Sequence, residues 1–467
     1  MCGIIAAAGT VPLGPAVESL SHRGPDAAAS VEVCGVTLGH TRLAIQDTSS
    51  RSDQPFFHGS VTIVYNGELF NAQYVRALVE DACPGHLWDT TGDTEVVAAA
   101  LDVLGPDLAL SSFDGMFAIA WADEDHPGAL FLARDRQGEI PLHVHRAVPV
   151  LAASELKAFA ALGRRSGRAV VDVPAGEWWS VTTTGSVLRH TFHRLIAQPG
   201  GLGPEVASER LADALARSVS RRMISDVPVC SLLSGGIDSA AIALEVTRWN
   251  PDLVCYTAVL DPRSRDLRYA RQTAERLGVD LVEVPVKPPT ADDLTSVIHQ
   301  IELPFKAQVE IGWACLRLAE VIRGDGFKVT FTGEGSDELW ASYGFAYHGL
   351  KKSDWFTYRR DLIASQASKN FPRVNKSFMA YGVEGRLPFL DPDVVDLALS
   401  LPRTSVQDGP GQPKAVLQRA YAGRLPKSVI DRPKLAFQDG MGLKTAITDV
   451  LSNPARYYRA EHQRIYG

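Results

Sequence analysis

Leu232-Leu233-Ser234-Gly235-Gly236-Ile237-Asp238-Ser239 joins an apolar run, Val227 to Leu233, to a helical pattern, Ser239 to Trp249. Strand, small-residue turn and helix therefore follow one another. Two glycines without Cβ let the turn bend tightly. Its backbone N–H groups, the hydroxyls of Ser234 and Ser239 and the start of the helix converge on one spot. Unpaired donors and the helix dipole favour an anion there. The turn lacks the Gly-Lys-Ser/Thr ending of a P-loop and the GxGxxG spacing of dinucleotide sites. Asp238 would repel a phosphate unless a cation lay between, which points to Mg²⁺. The plainer alternative is a glycine turn whose Asp238 caps the following helix.

Working outward, strand-like and helix-like segments alternate over 253–259, 267–277, 281–286, 294–301, 313–322 and 328–332. This is the pattern of a doubly wound sheet with parallel strands, which places ligands beyond the carboxyl ends of its strands. A second acidic, glycine-rich turn, Thr332-Gly333-Glu334-Gly335-Ser336-Asp337-Glu338, follows the last of these strands. Two strand ends that each offer a carboxylate beside small residues suit a nucleotide with Mg²⁺. Asp238 and Asp337 would link the metal to pyrophosphate oxygens. Upstream, the Pro/Gly-rich stretch 197–204 breaks the chain. It predicts two domains, 1–196 and 205–467.

The 467 residues carry a net charge of −7, which gives no support to a nucleic-acid surface. The six cysteines show no CxxC spacing, so no zinc site is expected. Such cysteine usage, and an N-terminus without the charged region of a secretory signal, point to the cytoplasm. No apolar run reaches membrane-spanning length, so no membrane partner is expected.

The first half opens with Met1-Cys2-Gly3-Ile4-Ile5. Removal of Met1 would leave Cys2 with a free α-amine, which titrates near 8. A thiol that carries its own base is a ready nucleophile. Arg42 stands alone at the start of a strand-like run. Asn66 and Gly67 end the strand begun at Val61, and the Asn66 amide with the Gly67 N–H suits an oxyanion hole. Asp93 opens a helix as a cap or an amine-binding carboxylate. His143 and His145 alternate along a strand with no third ligand nearby, which argues against a metal.

Cys2-Gly3-Ile4, Arg23-Gly24-Pro25-Asp26, Asn66-Gly67-Glu68, Asp93-Thr94-Glu95, Asp114 to Ala118 and Arg134-Asp135-Arg136 resemble the glutaminase domain of amidotransferases with an N-terminal nucleophile. The resemblance implies an α+β, αββα sandwich. Cys2 would attack glutamine, Arg42 hold its α-carboxylate, Asp93 and Glu68 hold its amino end, and Asn66 and Gly67 stabilise the oxyanion. The two acidic turns, with Arg373 to Lys376, Val383 to Arg386, Pro388 to Asp391, Gly411 to Lys414, Lys434, Phe437 and Asp439-Gly440, resemble the synthetase domain of asparagine synthetases. That family uses an α/β PP-loop fold and splits ATP to AMP and pyrophosphate.

The resemblance implies ATP contacts at Leu233, Ser234, Gly235, Gly236, Asp238, Ser239, Val259, Thr332 and Gly333. It implies Mg²⁺ at Asp238 and Asp337, attack on the acyl-adenylate assisted by Glu334, and charge stabilisation by Lys414. Glutamine and a small carboxylic acid would be the substrates, and a homodimer is left open. Glu310 falls where asparagine synthetases carry an aspartate-binding arginine, and Lys434 is a second substrate-binding candidate. A glutamate would repel an α-carboxylate, so the expected substrate is a carboxylic acid other than free aspartate. Ordinary asparagine synthesis is one alternative. A ligase of the β-lactam synthetase type, whose substrate brings its own amine, is another, and the presence of Cys2 argues against it.

Overall fold

The computed structural model describes residues 1–343, 350–351, 353–408, 412–432 and 443–467. Its first half holds two six-stranded antiparallel sheets. One runs in the order Val170–Asp172, His143–His145, Leu151–Ala153, Gly3–Ala7, Val36–Arg42, Ala27–Val33. The other runs Val187–Thr191, Glu177–Thr182, Ala129–Arg134, Gly115–Asp123, Val61–Leu69, Phe56–His58.

Side chains alternate between the faces of a strand, and the cores follow that alternation. Ile4 and Ala6 meet Val64, Met116, Ala118 and Ala120 between the sheets. Ile5 and Ala7 face outward to a core shared with the helices Gly14–Ser19 and Leu156–Ala161. On the opposite outer face, Ile63, Tyr65, Phe117 and Ile119 pack beneath the helices Ala72–Ala82 and Asp93–Leu104. The result is the αββα sandwich, with the central strand Gly3–Ala7 presenting Cys2 at its start. The apolar runs 117–121 and 129–133 lie within the paired strands Gly115–Asp123 and Ala129–Arg134.

No helix or strand lies between Thr191 and Pro204. Beyond it the amphipathic helix Pro204–Arg221 leads into a parallel sheet of order Asp280–Pro285, Val254–Val259, Val229–Leu232, Val329–Phe331, Glu384–Arg386. Four of these five strands match the alternating pattern. The fifth reads Glu384-Gly385-Arg386, two charged residues about a glycine, and so lacks the apolar run that marks a buried strand. Gly278 closes the helix Arg265–Leu277 in the left-handed conformation at φ +69°, and a capping box at Thr290 and Asp293 starts the helix Ala291–Ile301.

The strand order reverses between the neighbours Val229–Leu232 and Val329–Phe331, a switch point that opens a crevice at their carboxyl ends. Both acidic turns emerge there. Among the described residues no helix is long and apolar enough to cross a membrane.

Candidate active sites

At the first site Cys2 is buried, and its backbone nitrogen donates to Asn66 Oδ1 at 2.8 Å. Asn66 comes from the facing sheet, so the sandwich itself joins nucleophile and oxyanion donor. The Asn66 Nδ2 lies 3.4 Å from Ser154 Oγ, which also accepts from Ile4 N–H at 3.0 Å. A Cβ on Gly67 would stand 2.2 Å from the Met116 carbonyl oxygen, so only glycine fits there.

Arg42 is buried and donates to the Ser49 carbonyl and to Asp53, both at 2.6 Å, which sets its guanidinium against the loop 47–53. Asp93 accepts from Tyr65 O–H at 3.0 Å and Leu69 N–H at 2.9 Å. Burial pushes Asp93 up, and burial with Glu384 and Asp93 pushes Glu68 well above the carboxylate range. Burial also raises the Cys2 thiol, against the opposing pull of the α-ammonium, the Leu43 N–H and Arg42.

The second domain reaches into this site. The Met1 ammonium lies 2.7 Å from Glu384 Oε2, with both groups wholly buried, and Glu384 Oε1 accepts from Arg386 Nε at 2.7 Å. Burial alone would lift the Glu384 carboxyl, but the Met1 ammonium and Arg386 hold it below its ordinary value. With Met1 attached the Cys2 nitrogen is an amide, and the free amine expected from the sequence arises only on its removal. Val383-Glu384-Gly385-Arg386 is visible as a sequence motif, but nothing in its residue types shows that it backs the thiol site. A buried ionic cluster also spans the two domains. Glu302 accepts from the Leu156 and Lys157 N–H groups at 2.8 and 2.9 Å and from Lys376 Nζ at 2.5 Å. His143, set aside as a metal ligand, pairs with Asp172 at 2.6 Å and lies 3.0 Å from Lys376 Nζ.

The second site is a cavity of about 610 Å³ at the switch point. Leu233, Ser234, Gly236, Asp238, Ser239, Thr332, Gly333, Glu334, Asp337 and Lys414 all line it. Ser239 Oγ accepts from Ser234 N–H at 3.0 Å, which closes the first turn on itself. Gly235 takes φ +77° and lies behind the wall, where a Cβ would meet the Asp266 carbonyl at 2.2 Å. Its role is therefore to shape the turn. Gly333 lets the second turn press on the first: a Cβ there would lie 2.8 Å from Ser239 N and 2.9 Å from the Asp238 carbonyl carbon.

Lys414 Nζ sits between Asp238 at 2.6 Å and Asp337 at 2.5 Å, so one cation position already gathers both carboxylates. Burial opposes its charge, but the two aspartates win and raise its pKa. Glu334 is clamped by Arg373 Nη2 at 2.7 Å, and Arg373 Nε donates to Gln308 at 2.9 Å. Among the described residues no cluster of three or more His, Cys, Asp or Glu could hold a metal alone. Two carboxylates converging beside a phosphate cradle do suit Mg²⁺, which binds one or two carboxylates together with substrate phosphates.

Besides Gly235, two sequence-based assignments do not meet the cavity. Val259 ends its strand outside the wall. Glu310 is buried on the helix Lys306–Gly324 and lies 3.8 Å from Lys306, whereas Ala307, Gln308, Ile311 and Cys315 form the cavity face of that helix. At about 100° per residue, position 310 is turned away from that face, so the predicted repulsion of a substrate carboxylate has no geometric basis. Lys434, Gly411, Phe437 and Asp439-Gly440 lie outside the described residues.

A thiol-bearing αββα sandwich fused to a parallel sheet with two acidic turns defines a glutamine amidotransferase joined to a nucleotide-dependent domain. Comparison with known proteins agrees: residues 1–193 match the glutamine amidotransferase domain family, and residues 210–375 and 359–461 match the asparagine synthase family. The chain is 30% identical to asparagine synthetase B (glutamine-hydrolyzing) of Escherichia coli strain K12, over 91% of this chain and 78% of that protein. It is 29% identical to the glutamine-hydrolyzing asparagine synthetase 2 of Oryza sativa subsp. japonica, over 95% and 78% respectively. The glutamine phosphoribosylpyrophosphate amidotransferase from B. subtilis, complexed with ADP and GMP, aligns with a TM-score of 0.37 at 18% identity, over 71% of this chain and 81% of that one. The chain belongs to the glutamine-hydrolysing asparagine synthetase family.

Proposed function

We propose that the protein is an AMP-forming, ATP-dependent ligase that converts a substrate carboxylate to a carboxamide with nitrogen from glutamine. The observation that carries this is the pairing of Cys2 against Asn66 in one domain with Lys414 between Asp238 and Asp337 in the other. Once Met1 is removed, the Cys2 amine takes the thiol proton, still held by Asn66 Oδ1. The thiolate attacks the glutamine carboxamide, and ammonia leaves as a thioester forms, which water then clears. Arg42 pairs with the α-carboxylate, and the Glu68 and Asp93 carboxyls accept from the α-ammonium, whose charge offsets the burial that raises them.

In the second site the Ser234–Ser239 turn cradles pyrophosphate while the substrate carboxylate attacks the α-phosphorus of ATP. Bound Mg²⁺, held by Asp238 and Asp337, would neutralise charge on the leaving pyrophosphate. Lys414 stabilises the reacting phosphate, and Glu334, fixed by Arg373, orients the attack of ammonia on the acyl-adenylate. Adenylation supplies the drive for an amide formation that is uphill in water.

The acid is proposed to be other than free aspartate. Support comes from the cavity face of the helix Lys306–Gly324, where Ala307, Gln308 and Ile311 offer no cation to an α-carboxylate. The second reading, aspartate, is favoured by Lys369, a cation that lines the cavity, and by the names of the relatives. Pyrophosphate release with ATP and Mg²⁺ across a panel of carboxylic acids tests both. Aspartate leading by a wide margin selects the second reading, and ADP with orthophosphate as products refutes the whole scheme.

A further inference from the structure

The helix Asn370–Met379 is buried along its whole length, and it is the part of the second domain that touches both sites. From it, Arg373 holds Glu334 in the nucleotide cavity at 2.7 Å. Two residues on, and so about 200° round the helix, Asn375 faces the thiol site. Its Oδ1 accepts from Arg23 Nη2 at 2.9 Å. Arg23 is fully buried, and its other donors reach Glu155 Oε1 at 2.7 Å and the Cys2 carbonyl oxygen at 2.8 Å. Lys376 pins the same helix to Glu302 at 2.5 Å and sits 3.0 Å from His143.

We infer that Asn375 is a positioning residue for the Cys2 nucleophile, acting through Arg23, so that the synthetase domain completes the glutaminase site. The inference rests on Cys2 being that nucleophile. A guanidinium is a rigid planar fork, so three acceptors in three directions fix its orientation completely. One of those acceptors is the peptide carbonyl of the nucleophile itself. Without the Asn375 oxygen, a buried N–H is left unpaired. The fork then turns toward another acceptor and draws the Cys2 peptide with it. Displacing a reacting group by 1 Å costs roughly a hundredfold in rate. The contact from Asn375 Nδ2 to Met1 Sδ, at 3.0 Å, disappears with Met1, whereas the contact to Arg23 does not depend on it.

The test compares full-length wild type, Asn375→Leu and Asn375→Asp in glutamine hydrolysis and in alkylation of Cys2 by iodoacetamide. Asn375→Leu keeps the bulk and removes the acceptor. It should lower kcat for hydrolysis roughly tenfold to a hundredfold, leave KM within about threefold, and slow alkylation in parallel. Asn375→Asp keeps an acceptor for Arg23 and should return kcat to within about threefold of wild type. Wild-type kcat and alkylation in the leucine variant overturn the inference. So does equal loss in both variants, which would make Asn375 a general packing residue. A wild type that hydrolyses no glutamine would instead remove the underlying reading of Cys2.

Discussion

Gly333→Ala isolates the contact on which the nucleotide site depends. The new Cβ would stand 2.8 Å from Ser239 N and 2.9 Å from the Asp238 carbonyl carbon, against an optimal separation of about 3.5–4.0 Å. Both neighbours are backbone, so no rotamer change relieves the clash, and the two turns must part by about 0.5–1 Å. Ser239 Oγ anchors Ser234 N–H and Asp238 binds Lys414, so the displacement enters the phosphate cradle directly. Scaled from about a hundredfold per ångström, the loss in adenylation should be roughly tenfold to a hundredfold. The overpacking should cost about 1–3 kcal/mol, which lowers the Tm of a domain this size by several degrees.

Pyrophosphate release is the assay, with glutamine hydrolysis in the same sample expected to stay within about twofold because the thiol site lies in the other domain. Gly324→Ala is the control, since a Cβ there meets nothing within 4 Å. Its effect should be neutral or stabilising by a few tenths of a kcal/mol up to about 1 kcal/mol. If Gly333→Ala releases pyrophosphate at the wild-type rate, the idea that the abutting turns build the site is wrong.

Cys2→Ala should abolish glutamine-dependent amidation while ammonia-dependent amidation survives within about threefold. Loss of both in a folded protein would count against two separate sites. Lys414→Met leaves Asp238 and Asp337 facing one another without their shared cation. Pyrophosphate release should fall roughly a hundredfold to a thousandfold, and an unchanged rate would dismiss Lys414 from the chemistry. His40 is buried, and burial holds its pKa down to about 3. Its unfolded value is about 6.5, so the unfolded chain binds the extra proton between those limits. Stability is thus fully present above about pH 6.5 and is lost as pH falls toward 3. At pH 5 the deficit should be about 2 kcal/mol. Urea unfolding at pH 7.5 and pH 5 should show that difference shrink by this amount in His40→Gln, and an equal pH dependence in both proteins would refute the assignment.

The sequence alone carried every feature whose signal is local. The order strand, glycine turn, helix is written within 227–249, and the outcome is the strand Val229–Leu232 followed by the helix Ile237–Thr247. Alternation of side chains determined the sandwich core, because period two leaves each residue one face. The oxyanion pair was legible because Asn66 and Gly67 interrupt a strongly patterned apolar run, although the strand does not end there as expected but continues through both to Leu69. Only the tertiary structure set Lys414 between two aspartates, one of them 176 residues distant in the chain. It also turned Glu310 away from the cavity, because the direction a helical residue faces depends on what packs around the helix. Likewise it brought Asn375, Glu384 and Arg386 of one domain behind Cys2 of the other. Such encounters have no local periodicity and are fixed only when the two domains bury a common surface.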